Sequence, residues 1–233
     1  MKLRILVADD HEVIRRGLCS LLQAREGWEI CGEAKDGREA VEMVRYLKPD
    51  VVILDIGMPN LNGLAASRQI SQNNPQQKII VLTITDSDRV IREALNAGAR
   101  GFVLKSDAAR DLVSAVEALQ HNRMFFTPRV NDMVLTGFLN KETVVSGDGF
   151  SLSPKLTSRE REVIQLLAEG KSSKEVACLL NLSTKTAETH RSNIMRKLNF
   201  RSIRDLVVYA VQNDIIQLQM SSTVHDRPAG TPA

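Results

Sequence analysis

Three aspartates and a lysine each stand at the end of a short apolar run. Asp9 and Asp10 follow Leu3-Arg4-Ile5-Leu6-Val7-Ala8, Asp55 follows Val51-Val52-Ile53-Leu54, and Lys105 follows Gly101-Phe102-Val103-Leu104. Runs of this length and composition read as strands. In an open parallel α/β sheet the carboxyl ends of the strands share one rim, where ligands bind. Residues far apart in sequence therefore converge there. Three crowded carboxylates raise one another's pKa unless a cation joins them, and a hard divalent ion with oxygen ligands, Mg²⁺, resolves the repulsion. Behind Asp55 comes a turn-forming stretch, Ile56-Gly57-Met58-Pro59-Asn60-Leu61-Asn62-Gly63, in which Gly57 is placed to offer a backbone carbonyl to that ion. Thr83, at the end of another apolar run, supplies a hydroxyl, and Lys105 a point charge for phosphate. A carboxylate nucleophile, Mg²⁺ and a lysine suit phosphoryl transfer, which depends mainly on positioning and charge neutralisation.

The elements that would position these groups alternate strictly. Strands are expected at 3–8, 29–34, 50–54, 78–83 and 101–104, with helices near 12–24, 37–47, 62–72, 87–97 and 108–121. Several strands are almost unbroken Val, Ile and Leu, as required when both sheet faces are covered. Asp36-Gly37-Arg38-Glu39 reads as an N-cap with a capping box, Asp107 is placed to cap the fifth helix, and Ala97-Gly98-Ala99 offers a stop for the fourth. The expected fold is an α/β, flavodoxin-like, five-stranded parallel sheet with five helices over residues 1–121.

The rest of the chain differs in kind. Residues 122–151 carry Pro128, Gly137, Gly147 and Gly149 and read as a linker, beginning as a continued helix or turn around Arg129 to Leu139 and becoming flexible near Thr143 to Ser153. Residues 152–217 are purely helical in pattern. Capping boxes at Thr157 to Glu160 and Ser172 to Glu175, a stop at Gly170, and caps at Ser183 and Ser202 mark four short helices, the middle pair in helix-turn-helix arrangement. Residues 218–233 read as a disordered tail.

Charge separates the two parts. Residues 1–121 hold 16 Lys/Arg against 17 Asp/Glu, whereas residues 152–218 hold 11 against 7, so the overall +3 comes from a C-terminal part suited to a polyanion. No apolar run approaches a membrane span, and the leading apolar stretch ends at two aspartates, too early for a signal peptide; a cytoplasmic location is expected. Cys19, Cys31 and Cys178 form no C-x-x-C pair and read as small buried hydrophobes in a reducing compartment.

Asp9-Asp10, Asp55 with Met58-Pro59, Thr83 and Lys105 resemble the receiver domain of bacterial two-component response regulators over residues 2–121. That resemblance implies that Asp55 accepts a phosphoryl group from a sensor histidine kinase while Asp9, Asp10, Asp55 and Gly57 hold Mg²⁺. It implies that Thr83 and Lys105 contact the phosphoryl oxygens and that Phe102 is an aromatic switch turning inward as Thr83 moves. Gly57 and Thr85 fall where other members carry side chains that tune loss of the phosphoryl group.

In the third C-terminal helix, Ala187, Ile194 and Leu198 form an apolar stripe, while Lys185, Glu188, Thr189, Ser192 and Arg196 share the opposite face. The runs Leu156 to Val163, Gly170 to Ala177 and Leu182 to His190 are similar to the LuxR-type helix-turn-helix, so the whole chain resembles the NarL/FixJ family. By position, Glu188, Thr189 and Ser192 would face bases of double-stranded DNA. Lys185, Thr186, Arg191, Asn193 and Lys197 would lie nearer phosphates, with Arg196 on the same polar face. The implied protein is a transcription regulator and not an enzyme, a homodimer on DNA formed partly through the fourth C-terminal helix (Ile203, Val207, Val211), with RNA polymerase as a further partner. Two rivals stay open at this stage: a DNA-binding protein whose receiver is a phosphorylation-independent dimerisation or docking module, and a phosphohydrolase with Asp55 as nucleophile.

Overall fold

The computed structural model describes residues 2–127, Val130 and residues 156–216. Five parallel strands, β1 (Leu3–Ala8), β2 (Trp28–Ala34), β3 (Val51–Asp55), β4 (Lys78–Thr83) and β5 (Gly101–Leu104), lie in the order β2-β1-β3-β4-β5. The helices α1 (Glu12–Gln23), α2 (Gly37–Leu47), α3 (Gly63–Asn73), α4 (Asp88–Asn96) and α5 (Ala108–Gln120) alternate with them.

Side chains alternate across each strand. Ile5, Val7, Ile53, Ile80, Leu82 and Val103 pack under α1 and α5, against Leu18, Leu22, Leu112 and Val116. Leu6, Val52, Leu54, Ile79, Val81 and Phe102 face α2, α3 and α4, against Val41, Ile70, Val90 and Ile91. Two covered faces explain the unbroken apolar runs of the central strands, where β3 carries its one charge, Asp55, at the rim, whereas edge strand β2 also carries Glu29 and Glu33 along its length. Most of the expected linker, and the whole of the tail 218–233, lie outside the described residues. Among the described residues no helix is long and apolar enough to cross a membrane.

Two local expectations give way to different geometry. Asp36 does cap α2, accepting from the Arg38 and Glu39 amides, but Glu39 turns back to the Lys35 amide (2.8 Å), so the box is not reciprocal. Asp107 makes no capping bond: Lys105–Asp107 tighten into a 3₁₀ turn that leaves Asp107 at φ −104°, ψ −1°, not the extended geometry of a capping residue. Its carboxylate meets Arg110 instead (3.4 Å). Beyond α5 the chain returns along the outer edge of β5, where the Phe102 amide donates to the Phe125 carbonyl (2.9 Å) and the Phe125 amide to the Arg100 carbonyl (3.1 Å). That pairing occupies an edge that would otherwise expose unpaired backbone.

The helical part comprises α6 (Ser158–Ala168), α7 (Ser173–Leu179), α8 (Thr184–Lys197) and α9 (Ile203–Gln212). Thr157, Ser172 and Ser202 each head a complete capping box, and Ser183 caps α8 through the Thr186 amide. Gly170 ends α6 at φ +85°, a conformation glycine adopts without penalty. Val163, Ile164, Leu166, Val176, Ala187, Ile194, Leu206 and Ala210 form the core. Of the cysteines, Cys19 is buried as expected, but Cys178 lies exposed on short α7, because that helix buries only its Val176-Ala177 side.

Ile194 is fully buried and seats α8 on the other helices. Ile194→Ala should destabilise the helical part by about 2–5 kcal/mol. Amide hydrogen exchange should then accelerate in α6 to α9 and stay unchanged in the β-sheet.

Candidate functional site

The sheet brings Asp9, Asp10, Asp55 and Lys105 to one rim. Lys105 Nζ lies 2.8 Å from Asp9 Oδ2 and 2.9 Å from Asp55 Oδ2, bridging the ends of β1 and β3 from the end of β5. Asp9 and Asp55 are essentially inaccessible to solvent, and Asp55 Oδ1 has no hydrogen-bond partner among the described residues. Burial pushes the Asp55 carboxyl up to about 6; Lys105 opposes this and Asp9 adds to it. Burial alone would lower the Lys105 pKa, but the facing carboxylates outweigh it and hold the ammonium above its ordinary value.

One ammonium thus serves a cluster of three carboxyl groups, and a buried carboxylate oxygen is left over. Oxygen donors of this kind suit a hard divalent cation. His11, which its residue type and spacing did not single out, belongs to the same cluster: its amide donates to Asp9 Oδ1 (2.8 Å), and its Nδ1 lies 2.8 Å from Asp10 Oδ1. Ligand atoms of Asp9, Asp10, His11 and Asp55 all lie within 4.8 Å of one another. The signal for His11 was simple adjacency to the aspartate pair.

Around this rim, Gly57 follows β3 by two residues, and its backbone amide lies near the Asp55 carboxyl. Thr83 ends β4 fully buried, its hydroxyl donating to the Thr85 carbonyl (3.1 Å) and accepting from the Thr85 amide (3.2 Å). Phe102 is buried beneath α4, so the aromatic at the expected switch position already points inward.

On α8 the expected faces separate cleanly. Ala187 and Ile194 are buried and Leu198 partly so, while Lys185, Thr186, Glu188, Thr189, Arg191, Ser192, Asn193, Arg196 and Lys197 are all exposed. Several are already engaged: Thr189 donates back to the Lys185 carbonyl (2.8 Å), Arg196 to Asn193 Oδ1 (3.1 Å), and Lys197 to Glu160 of α6 (2.8 Å). Residues 183–198 carry four Lys/Arg against Glu188 alone.

Residues 5–117 match the family model of the response regulator receiver domain, and residues 154–210 match that of bacterial regulatory proteins of the luxR family. The chain is 34% identical over 220 residues to the oxygen regulatory protein NreC of Staphylococcus epidermidis, covering 92% of this chain and 100% of the relative. This chain belongs to the NarL/FixJ-type two-component response regulators. The response regulator protein VraR of Staphylococcus aureus is similarly close, 34% identical over 217 residues, with 93% of this chain and 100% of VraR covered. Among solved structures, the complex of the response regulator RcsB with DNA matches at TM-score 0.54 and 27% identity, covering 91% of this chain and 99% of that one.

In this response regulator the helical part is docked on the receiver beside the acidic pocket. Gln165 of α6, almost fully buried, donates to the Met58 carbonyl (3.0 Å) and accepts from the Asn62 amide (2.9 Å). Glu169 accepts from the Asn60 amide (3.2 Å) and from Gln165 Nε2 (2.7 Å). Asn62 caps α3 through Oδ1 to the Ala65 amide (2.8 Å) and donates from Nδ2 to the Ile215 carbonyl (3.1 Å). Arg161 pairs with Glu93 of α4 (3.1 Å), and Gln69 of α3 donates to Glu162 (3.1 Å). The segment gripped most tightly is the β3–α3 loop, which starts directly after Asp55. No sequence motif announced these contacts.

Proposed function

We propose that Asp55 is the phosphoacceptor of a sensor histidine kinase, with Mg²⁺ as cofactor, and that its phosphorylation controls how α8 engages double-stranded DNA. The observation that carries this reading is the bridging of Asp9 and Asp55 by Lys105 around an unpartnered Asp55 oxygen. Asp9, Asp10, Asp55 and the Gly57 carbonyl are the groups that would hold the ion. When bound, Mg²⁺ supplies the positive charge that offsets the phosphoryl oxygens against the carboxylates.

An Asp55 carboxylate oxygen attacks phosphorus, and the P–N bond of a phosphohistidine breaks with its electron pair leaving on the imidazole nitrogen. Lys105, already 2.9 Å from Asp55, can follow the charge onto a phosphoryl oxygen. Thr83 must exchange its bonds with the Thr85 backbone for one to the phosphoryl group, which draws the start of the β4–α4 loop inward. With Phe102 already inward, that exchange at Thr83 is the step left to phosphorylation.

The polar face of α8 is exposed while the helical part is docked. Docking therefore restrains the position of the DNA-reading helix without covering it. Control through pairing of two helical domains follows more naturally than control through unmasking. Ile203 and Val208 leave an apolar strip exposed on α9, beside part-buried Val207 and Val211, suited to a homodimer on two DNA half-sites. RNA polymerase is the partner a promoter-bound dimer would meet. We assign residues 1–121 to the receiver, 122–151 to the linker, 152–217 to the DNA-binding domain and 218–233 to the tail.

Incubation with Mg²⁺ and a small phosphodonor should attach one phosphoryl group per chain, mapped by mass spectrometry to Asp55, and should tighten binding to a selected DNA fragment. Labelling without any change in DNA binding or dimerisation would favour the phosphorylation-independent module. Repeated turnover of phosphate esters would favour the phosphohydrolase.

A further inference from the structure

We propose that His11 is a fourth side-chain ligand of the cation pocket and gives it an affinity for borderline transition-metal ions that its oxygen donors alone would not supply. The inference rests on the reading of the acidic rim as a cation site and adds the class of ion it accepts.

His11 occupies the capping position of α1 with extended backbone (φ −86°, ψ 105°), yet its side chain caps nothing. The ring is turned instead toward the acids, with Nδ1 2.8 Å from Asp10 Oδ1 and 3.3 Å from Asp9 Oδ1. Its backbone is held by the His11 amide donating to Asp9 Oδ1 (2.8 Å), and the Asp9 carbonyl is fixed in turn by Arg15 Nη1 (2.7 Å). The side chain remains 48% exposed, so it can adjust to an ion without repacking the core. Two ligands on opposite sides of one ion, each about 2.1 Å away, are about 4.2 Å apart. The 4.8 Å spread of the four ligand atoms is close to that span. Within this cluster Asp55 Oδ1 is buried and without a hydrogen-bond partner among the described residues, which leaves an oxygen for a cation.

Donor type then decides which ions gain. Mg²⁺ takes oxygen ligands and keeps several waters, so an imidazole adds little to its binding. Zn²⁺, Co²⁺ and Ni²⁺ favour imidazole, and for them His11 replaces a water with a preferred donor. Both classes would use the same carboxylates and compete for one place. The acidic pocket thereby becomes responsive to the supply of transition metal.

Co²⁺ serves as the probe on the full chain, followed by its visible absorption and by paramagnetically shifted imidazole proton resonances, with Mg²⁺ as competitor. Wild type should show an imidazole resonance that Mg²⁺ displaces and that His11→Ala lacks. Affinity for Co²⁺ and Zn²⁺ should fall at least about tenfold in His11→Ala, the scale on which site residues tune metal binding. Affinity for Mg²⁺ should change less than about twofold, because water can take the place of an imidazole on that ion. The Mg²⁺ titration also checks that the variant's pocket is intact. Equal Co²⁺ binding by both proteins, with the same Mg²⁺ competition, overturns the role of His11 and leaves the three-carboxylate site standing. A parallel loss of Mg²⁺ and Co²⁺ affinity also overturns it, since His11 would then only position the acids. Absence of any Mg²⁺-displaceable Co²⁺ overturns both this inference and the cation site itself.

Discussion

Asp55→Asn is expected to take up no phosphoryl group and yet, in EDTA at neutral pH, to unfold at a higher temperature than wild type. The loss of labelling follows from removing the nucleophile, because a carboxamide in its place would not form the acyl phosphate. The gain in stability follows from the pocket. Burial raises the Asp55 carboxyl from 3.8 to about 6, so the folded protein holds its proton more readily than the unfolded chain does. That contribution to stability is fully present below the ordinary carboxylate value and is lost as pH rises through about 6. A shift of about two units corresponds to about 3 kcal/mol held against the ionised form. That cost is already net of the attraction to Lys105, so asparagine, which escapes it, should gain on the order of 1–3 kcal/mol. Thermal unfolding from about pH 4 to 7 in EDTA should show wild type losing stability relative to Asp55→Asn as pH rises. Added Mg²⁺ should close the gap, because an ion that binds only the folded state stabilises by mass action. A variant less stable than wild type across that whole range would show that the Lys105 pair outweighs the burial of the acid.

That tension between stability and function was partly readable from the chain alone. Unbroken Val, Ile and Leu in β3 require two covered faces, and an acid directly after such a run can sit only at the sheet's rim, as Asp55 does. The capping boxes at Thr157 and Ser172, and the caps at Ser183 and Ser202, were legible for a related reason, since each is settled locally between residues three apart. That Ser202 also heads a full box with Asp205 was not expected. Docking was not legible. Gln165 grips the Met58 carbonyl and the Asn62 amide, and Glu169 the Asn60 amide; half of each bond is backbone, which leaves no trace in residue type. Asp107 failed as a cap for a geometric reason, because a 3₁₀ turn had already carried it into helical backbone. His11 stood next to the aspartate pair in plain view, but its contribution depends on where a capping-position side chain turns, and residue type does not specify that.

Gln165→Ala should shift the regulator from the docked arrangement to the undocked one. The Gln165 side chain is 1% exposed, and it satisfies one buried carbonyl and one buried amide of the β3–α3 loop at once. Truncation leaves both groups unpaired while the domains remain docked, at about 1–3 kcal/mol for each, and opening returns both to water. The docking equilibrium should move by about 2–6 kcal/mol, or roughly 30- to 20,000-fold. The effector fold should be spared, because its core is built from the neighbouring Val163, Ile164, Leu166 and Leu167. Small-angle scattering of the unphosphorylated variant should show a more extended particle, and its DNA affinity should approach that of phosphorylated wild type. Arg161→Glu tests the same interface from α4, where it opposes Glu93, and Arg161→Glu combined with Glu93→Arg should restore docking. The gripped loop carries Gly57, so docking is expected to be coupled to the adjoining pocket, and by linkage whatever weakens the grip then alters the pocket's affinity for its ligands. Mg²⁺ titration of Gln165→Ala therefore reads the coupling from the receiver side. An unchanged Mg²⁺ affinity in a demonstrably extended variant would show that docking and the acidic site are energetically independent.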